Sequence, residues 1–210
     1  MIGAIIGALS GQRFERFLAP ERSFQLLNRD GKSQLIVKLK SFSIDRDPKG
    51  IPEQFRSRIE LIDEGQENGF IEEISVNHPF RYRGMTIYQA DWGLAAITLR
   101  LDNSPPLQLP LEILPEFGSQ NWGIVIPTKI DGSESILISI SNEKGPALIF
   151  NSNGSLLKKI SPGGQSVDIN GTELSIINII PSSGILLKRD PGVPIVYTGF
   201  AITMIGTAIS

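Results

Sequence analysis

The sequence predicts an all-β domain, sandwich-like or built as two packed sheets, between two uncharged ends. Three observations predict it. Apolar and polar residues alternate at period two in one segment after another, the pattern of strands with one buried face. Asp131-Gly132, Asn153-Gly154 and Asn170-Gly171 fall between such segments, and these dipeptides favour two-residue hairpins. No long helical periodicity occurs between residues 20 and 190.

The 210 residues suffice for one sizeable domain or two small ones. A net charge of −2 offers no basic face for nucleic acid. Without Cys there is no disulfide framework and no thiol chemistry, and one His cannot build a structural zinc site. Hydrophobic residues at 40% fit a soluble domain with some membrane sequence added.

Met1–Ser10 is apolar and uncharged, too short for the roughly 20 residues of a span and without the basic start of a signal peptide. It reads as the exit half of a membrane helix; a buried strand or helix is the alternative. Val193–Ser210 carries no charge and has Tyr197 near its start, where an interfacial aromatic belongs. The expected division is 1–11 as the C-terminal part of a transmembrane helix, 12–192 as the β domain, and 193–210 as the start of the next helix. Such a chain would be a piece of a larger membrane protein.

Within the β region Leu35, Val37 and Leu39 alternate with polar neighbours, and Phe42 and Ile44 continue that face one residue out of phase, which predicts a bulge at about Lys40-Ser41. Phe55, Ser57, Ile59 and Leu61 form the next alternation. Glu64–Gly69 reads as a turn and Phe70–Val76 as the returning strand. Ile97, Leu99 and Leu101 oppose Thr98 and Arg100, and Pro105-Pro106 breaks the pattern. Further strands are predicted at Leu107–Leu114, Trp122–Pro127, Ser135–Ser141, Ala147–Phe150, Leu156–Ile160, Ser166–Ile169 and Leu174–Ile180. Two Asn-Gly pairs also match glycosylation sequons, but the hairpin-turn reading takes precedence.

Val76–Gly93, V-N-H-P-F-R-Y-R-G-M-T-I-Y-Q-A-D-W-G, concentrates the rare residues: the single His, two of three Tyr and one of two Trp. Pro79 holds His78 in an extended conformation, and the Asn77 side chain is placed to close an Asx-type turn. Arg83-Gly84 reads as a turn with Gly supplying positive φ. Met85–Trp92 reads as a central strand: Thr86, Tyr88, Ala90 and Trp92 on one face, Met85, Ile87, Gln89 and Asp91 on the other, both covered.

No catalytic set emerges. There is no second His, Glu72 and Glu73 point to opposite faces of a strand, and Pro162–Gln165 is too short for a phosphate loop. The chain therefore reads as having no active site of its own.

The Val76–Gly93 stretch resembles the signature of the ResB/Ccs1 family of cytochrome c biogenesis proteins. Leu99–Pro105, Gln108–Pro110, Trp122–Thr128 and Gly184–Phe200 are similar to other segments of that family, with wording closer to cyanobacterial or algal-plastid members. The resemblance implies a β domain between two membrane helices, in the lumen or periplasm of a thylakoid or plasma membrane. It implies a non-catalytic subunit that acts at haem delivery and attachment, with a CcsA/ResC-type membrane partner and apocytochromes c as clients. Haem belongs in the full complex and none is evident for this chain alone. Haem-contact candidates are His78 as an axial ligand and Arg81 and Arg83 at propionates; structural and solvated readings are favoured over both. Asn77, His78, Pro79, Tyr82, Tyr88, Asp91, Trp92 and Trp122 are candidates for structural or partner-interface roles. The alternative function is a stand-alone extracytoplasmic β module that binds a ligand or peptide.

Overall fold

The computed structural model describes residues 12–27, 33–129, 132, 134–189 and 193–209. The chain runs through β1 (Gln12–Leu18), β2 (Ser23–Leu27), β3 (Ser33–Arg46), β4 (Pro52–Asp63) and β5 (Phe70–Ser75). A short β6 (Phe80–Tyr82) turns into the long β7 (Met85–Leu101). Then come β8 (Leu107–Pro110), β9 (Glu112–Ile113), a 3-10 turn at Pro115–Phe117, β10 (Trp122–Pro127), β11 (Ser135–Ile140), β12 (Ala147–Asn151) and β13 (Leu156–Ile160). β14 (Val167–Ile169) turns into β15 (Thr172–Arg189), and a helix, α1 (Val193–Ile209), follows.

Among the described residues the expected two sheets are three. One has the order β2-β3-β4-β5 and another β13-β12-β11-β10-β9. The third runs β1-β15-β7-β6, with β14 also on β15 and β8 on β7. The described residues up to Asp91 form one compact unit with those from Ser183 onward, and Trp92–Ser182 forms a second. Local alternation predicts strands but not how many sheets they sort into, because sorting depends on which distant strands pair.

In the first unit the alternation is realised as read. Leu35, Val37 and Leu39 are buried, pairing skips Lys40, and Phe42 and Ile44 resume the buried face beyond that bulge. Ile59 and Leu61 of β4 and Ile74 of β5 are buried beside them. Burying each such side chain contributes about 1.5–3 kcal/mol. Leu18 of β1, Met85 and Ile87 of β7, and Ile185, Leu186 and Leu187 of β15 join the apolar set.

A hydrogen-bonded cluster of three polar side chains lies within this core. The Ser57, Gln89 and Ser183 side chains are all buried, one each from β4, β7 and β15. Each serine Oγ meets Gln89 Oε1, Ser183 at 2.8 Å, and the two hydroxyls lie 2.8 Å apart. Gln89 Nε2 donates to the Asp91 carbonyl at 2.6 Å, so both ends of the amide are engaged.

β7 departs from its expected coverage. Met85, Ile87 and Gln89 are buried, whereas Thr86 and Tyr88 are half-buried and Ala90 and Asp91 exposed. In the first unit continuous burial belongs instead to β15, where every residue from Ser183 to Leu187 is buried. The sequence pattern placed a strand end at Ile180, before Pro181; β15 runs through it.

The second unit is organised around Ile97 and Leu99 of β7 and Leu174, Ile176 and Ile179 of β15. They share one cluster with Ile136, Ile138 and Ile140 of β11 and Ala147 and Ile149 of β12. Asn170 and Gly171 both take positive φ, 54° and 87°, in a two-residue hairpin that pairs Ile169 with Thr172. The Asn153-Gly154 turn joins β12 to β13, with Asn151 Oδ1 accepting from the Asn153 and Ser155 amides. Asp131-Gly132 and Met1–Ser10 fall wholly or partly outside the described residues.

α1 is 17 residues long, about 26 Å at 1.5 Å per residue. It is uncharged, and Tyr197, Phe200, Ile202, Met204 and Ile205 are exposed along it. Thr203 and Thr207 donate back to carbonyls one turn earlier, which satisfies their hydroxyls in an apolar helix. No helix among the described residues is long and apolar enough to cross a membrane.

The Ser57–Gln89–Ser183 cluster generates the first prediction. Gln89→Leu removes the acceptor shared by two buried hydroxyls, leaving them only each other, and should lower the free energy of unfolding by about 1–3 kcal/mol, read by urea denaturation. Ser57→Ala combined with it should cost less than the two single losses added, because both act on one network.

Candidate functional site

The signature stretch is built from two tight turns. Ser75 and His78 exchange backbone hydrogen bonds, so Val76 and Asn77 form the turn between them. Asn77 adopts φ of 67°, a left-handed conformation that Asn tolerates better than most residues. Among the described residues its side chain makes no hydrogen bond, so the expected Asx-type closure is replaced by a backbone role. His78 is exposed, with Nδ1 3.3 Å from the Val76 carbonyl oxygen.

The second turn closes β6 onto β7, pairing Tyr82 with Met85. Arg83 and Gly84 both have positive φ, 47° and 75°, as a type I′ hairpin requires. Only Gly84 was expected there. Arg83 is offset by an ion pair: its guanidinium lies 3.0 Å from Asp63 Oδ2. The Tyr82 hydroxyl donates to the same oxygen at 2.5 Å. Its hydrogen bond to Asp63 raises the Tyr82 phenol above its ordinary value, and burial adds to the shift.

Asp63 is the neighbour of these residues that the sequence did not disclose. Its side chain is 9% exposed, and Oδ1 is buried without a partner among the described residues. In the sequence it is one acid at a strand end, 19 residues from Tyr82, and nothing local marks it. Phe70, Phe80 and Tyr82 form an aromatic group beside it. Phe70 lies 5.0 Å from Tyr82 and 6.0 Å from Phe80, centroid to centroid, within the range of favourable ring pairs. Arg81, between Phe80 and Tyr82, is exposed and makes no ion pair among the described residues.

The remaining signature residues hold other positions. Lys188 Nζ sits 5.4 Å from the Tyr88 ring centroid, a cation–π contact. Asp91 is exposed, and its backbone crowds Gly184, where a Cβ would lie 3.0 Å from the Asp91 carbonyl carbon. Trp92 and Trp122 come together in the second unit, ring centroids 5.5 Å apart. Trp122 is buried in that unit's core and Trp92 packs against it half-exposed. A Cβ on Gly93 would lie 3.5 Å from the Trp122 indole. Leu99–Pro105 contributes to a polar cleft of about 550 Å³ in the second unit, where Arg100, Asp102 and Ser104 meet Ser166 and Glu173.

The structure therefore gathers Phe80, Tyr82 and Arg83 with Phe70 and Asp63, leaves His78, Pro79 and Arg81 at the surface, and places Trp92 and Trp122 in a different unit. These residues pack, turn and pair charges, in the manner of a β scaffold. The chain belongs to the ResB-like family, whose model matches residues 1–155. It is 53% identical, over all 210 residues, to the cytochrome c biogenesis protein CcsB of Prochlorococcus marinus strain MIT 9313. It is 55% identical to CcsB of Synechococcus sp. strain WH7803, again over its whole length. The CcsB of Paulinella chromatophora is 54% identical over 219 aligned positions. The chain spans about half the length of these relatives, 49% of the first and 50% of the last. No solved structure matches.

Tyr82→Phe removes the hydroxyl and leaves the ring. It should lower stability at neutral pH. A group whose folded pKa is raised contributes its full stability below the unfolded value and loses it as pH rises through the folded one. The difference between wild type and Tyr82→Phe should therefore hold up to about pH 10 and shrink above it. Urea unfolding of both proteins at neutral and strongly alkaline pH measures this.

Proposed function

We propose that this chain is a membrane-bound, non-catalytic part of the machinery that matures c-type cytochromes, acting at haem delivery and attachment with a CcsA/ResC-type partner and apocytochromes c as clients. The observation that carries this reading is 53% identity across the whole chain to proteins named for cytochrome c biogenesis. The membrane is the thylakoid or plasma membrane, α1 is the start of an anchor, and the two β units lie in the lumen or periplasm. The uncharged, outward-facing side chains of α1 support an apolar surrounding for that helix.

Haem enters this reading as cargo of the complete complex. Of the three candidate contacts, Arg83 is already engaged by Asp63. Arg81 and His78 are exposed, whereas haem is a large apolar ligand that needs enclosure as well as an iron ligand. The better role for His78 and its turn is to set the entry to β6. The chain then contributes a shaped surface, and the partner contributes the haem-handling chemistry.

Deletion of the gene should abolish covalent haem attachment to c-type cytochromes and leave b-type haemoproteins intact, as read by haem staining of membranes. Normal staining of c-type cytochromes in the deletion strain would end this reading.

Two point variants separate scaffold from ligand. Trp92→Ala removes half of a packed aromatic pair, a class of change that costs about 3–5 kcal/mol when the ring is fully buried. His78→Ala alters an exposed turn, and such surface changes fall within about 0.5 kcal/mol. Both should reduce accumulation of the protein, Trp92→Ala more. Normal accumulation of His78→Ala with lost haem attachment that imidazole restores would make His78 an iron ligand instead.

A further inference from the structure

The registers of the first unit bring several strand ends to one pole. Gln12 at the start of β1 pairs with Arg189 at the end of β15, so the chain enters and leaves at adjacent points. In the neighbouring sheet Leu27 pairs with Ser33, and Leu35 with Asp63. Arg83 reaches Asp63 from the β6–β7 turn. A small cavity of about 50 Å³ joins the two sheets there, and Leu27, Met85, Leu187, Lys188 and Arg189 are among its walls. Among the described residues this pole exposes a large aliphatic side chain, Leu27, and two cations that line the same cavity, Lys188 and Arg189, while Arg83 is held by Asp63. The acidic groups of the pole include Asp63, which neutralises Arg83, and Glu64 and Glu67, exposed in the loop that follows.

α1 begins at Val193, four positions beyond Arg189. Four residues span at most about 14 Å even when fully extended. The polar layer on each side of the hydrocarbon is about 5–8 Å thick. An α1 whose start lies at the hydrocarbon boundary therefore holds this pole in or beside the headgroups. Two cations beside an exposed aliphatic side chain suit that layer, since Lys and Arg are drawn to anionic headgroups and apolar side chains to the acyl boundary.

We propose that this pole of the first unit is a phospholipid-contacting surface, with Leu27 at the acyl boundary and Lys188 and Arg189 at lipid phosphates. The inference rests on the reading of α1 as a membrane anchor. It adds that the β unit is docked on the bilayer and does not merely hang from the helix.

The absence of Cys from the sequence makes single-site labelling direct. Leu27→Cys, Ile51→Cys and Ile202→Cys, each in the full chain, are labelled with an environment-sensitive fluorophore and reconstituted in phosphatidylcholine–phosphatidylglycerol vesicles carrying acyl-chain spin-labelled lipid. Leu27 and Ile51 are similarly exposed, 60% and 57%, but Ile51 adjoins the opposite ends of β3 and β4, where Arg46 pairs with Pro52. Strong quenching at Ile202 and Leu27 with little at Ile51 is the expected result. Charge reversal by Lys188→Glu with Arg189→Glu should then reduce the Leu27 quenching severalfold. Quenching at Ile202 with Leu27 no different from Ile51 would overturn the docking and leave the anchor standing. No quenching at Ile202 would overturn the anchor itself, and the docking with it.

Discussion

The first unit depends on a polar constraint inside an apolar core. Ser57, Gln89 and Ser183 supply two hydroxyl protons for three close contacts. Both serines donating to Gln89 Oε1 leaves the Ser57–Ser183 contact without a proton; turning one hydroxyl toward the other leaves the amide oxygen with one donor. Either arrangement works only while β4, β7 and β15 keep their present offsets. Sliding by one residue would bring Arg56 or Arg58 to the place of Ser57, Tyr88 or Ala90 to that of Gln89, or Ser182 or Gly184 to that of Ser183, and each partner left buried and unpaired would cost about 1–3 kcal/mol. Apolar packing alone is far more tolerant of such slips.

The signature stretch reads differently against that constraint. Its residues do not converge on one point; they divide the work of fixing one strand. Gln89 sets register in the core. The Asp91 backbone meets Gly184 where no Cβ fits without displacement, so β7 and β15 approach closely at that position. Tyr82 and Arg83 close over Asp63 and hold the start of the strand, while Trp92 begins the part of β7 that belongs to the second unit. A segment with this many separate geometric duties tolerates few substitutions, which is a physical reason for its wording to be recognisable over a long run.

What the sequence disclosed follows the range of the interactions involved. The alternation of β3 and β4, the bulge at Lys40 and the Asn170-Gly171 hairpin are set by neighbours a few residues apart, and all were legible. Long-range choices were not. Ser57 pairs with Ser183 across 126 positions, and Asp63 looks like any surface acid until Tyr82 is folded onto it. β1 and β2 gave no distinct pattern because their exposed residues include Phe17 and Leu27, which blur the contrast between faces. Pro181 suggested a strand end because proline lacks the ladder donor, yet the strand continues through it.

Adjacent entry and exit points carry a consequence for how such a chain is used. A unit whose first and last strands pair end to end can be placed between two segments of a longer chain without forcing those segments apart. β1 and β15 are antiparallel neighbours for seven residues, so the separation of the two exits is that of one strand pair, about 5 Å, well inside the 8–10 Å between packed helix axes. Any two helices joined through this unit are therefore free to pack against each other. The β part can be shaped by what it must touch, while such an attachment would make little demand on any helices joined through it.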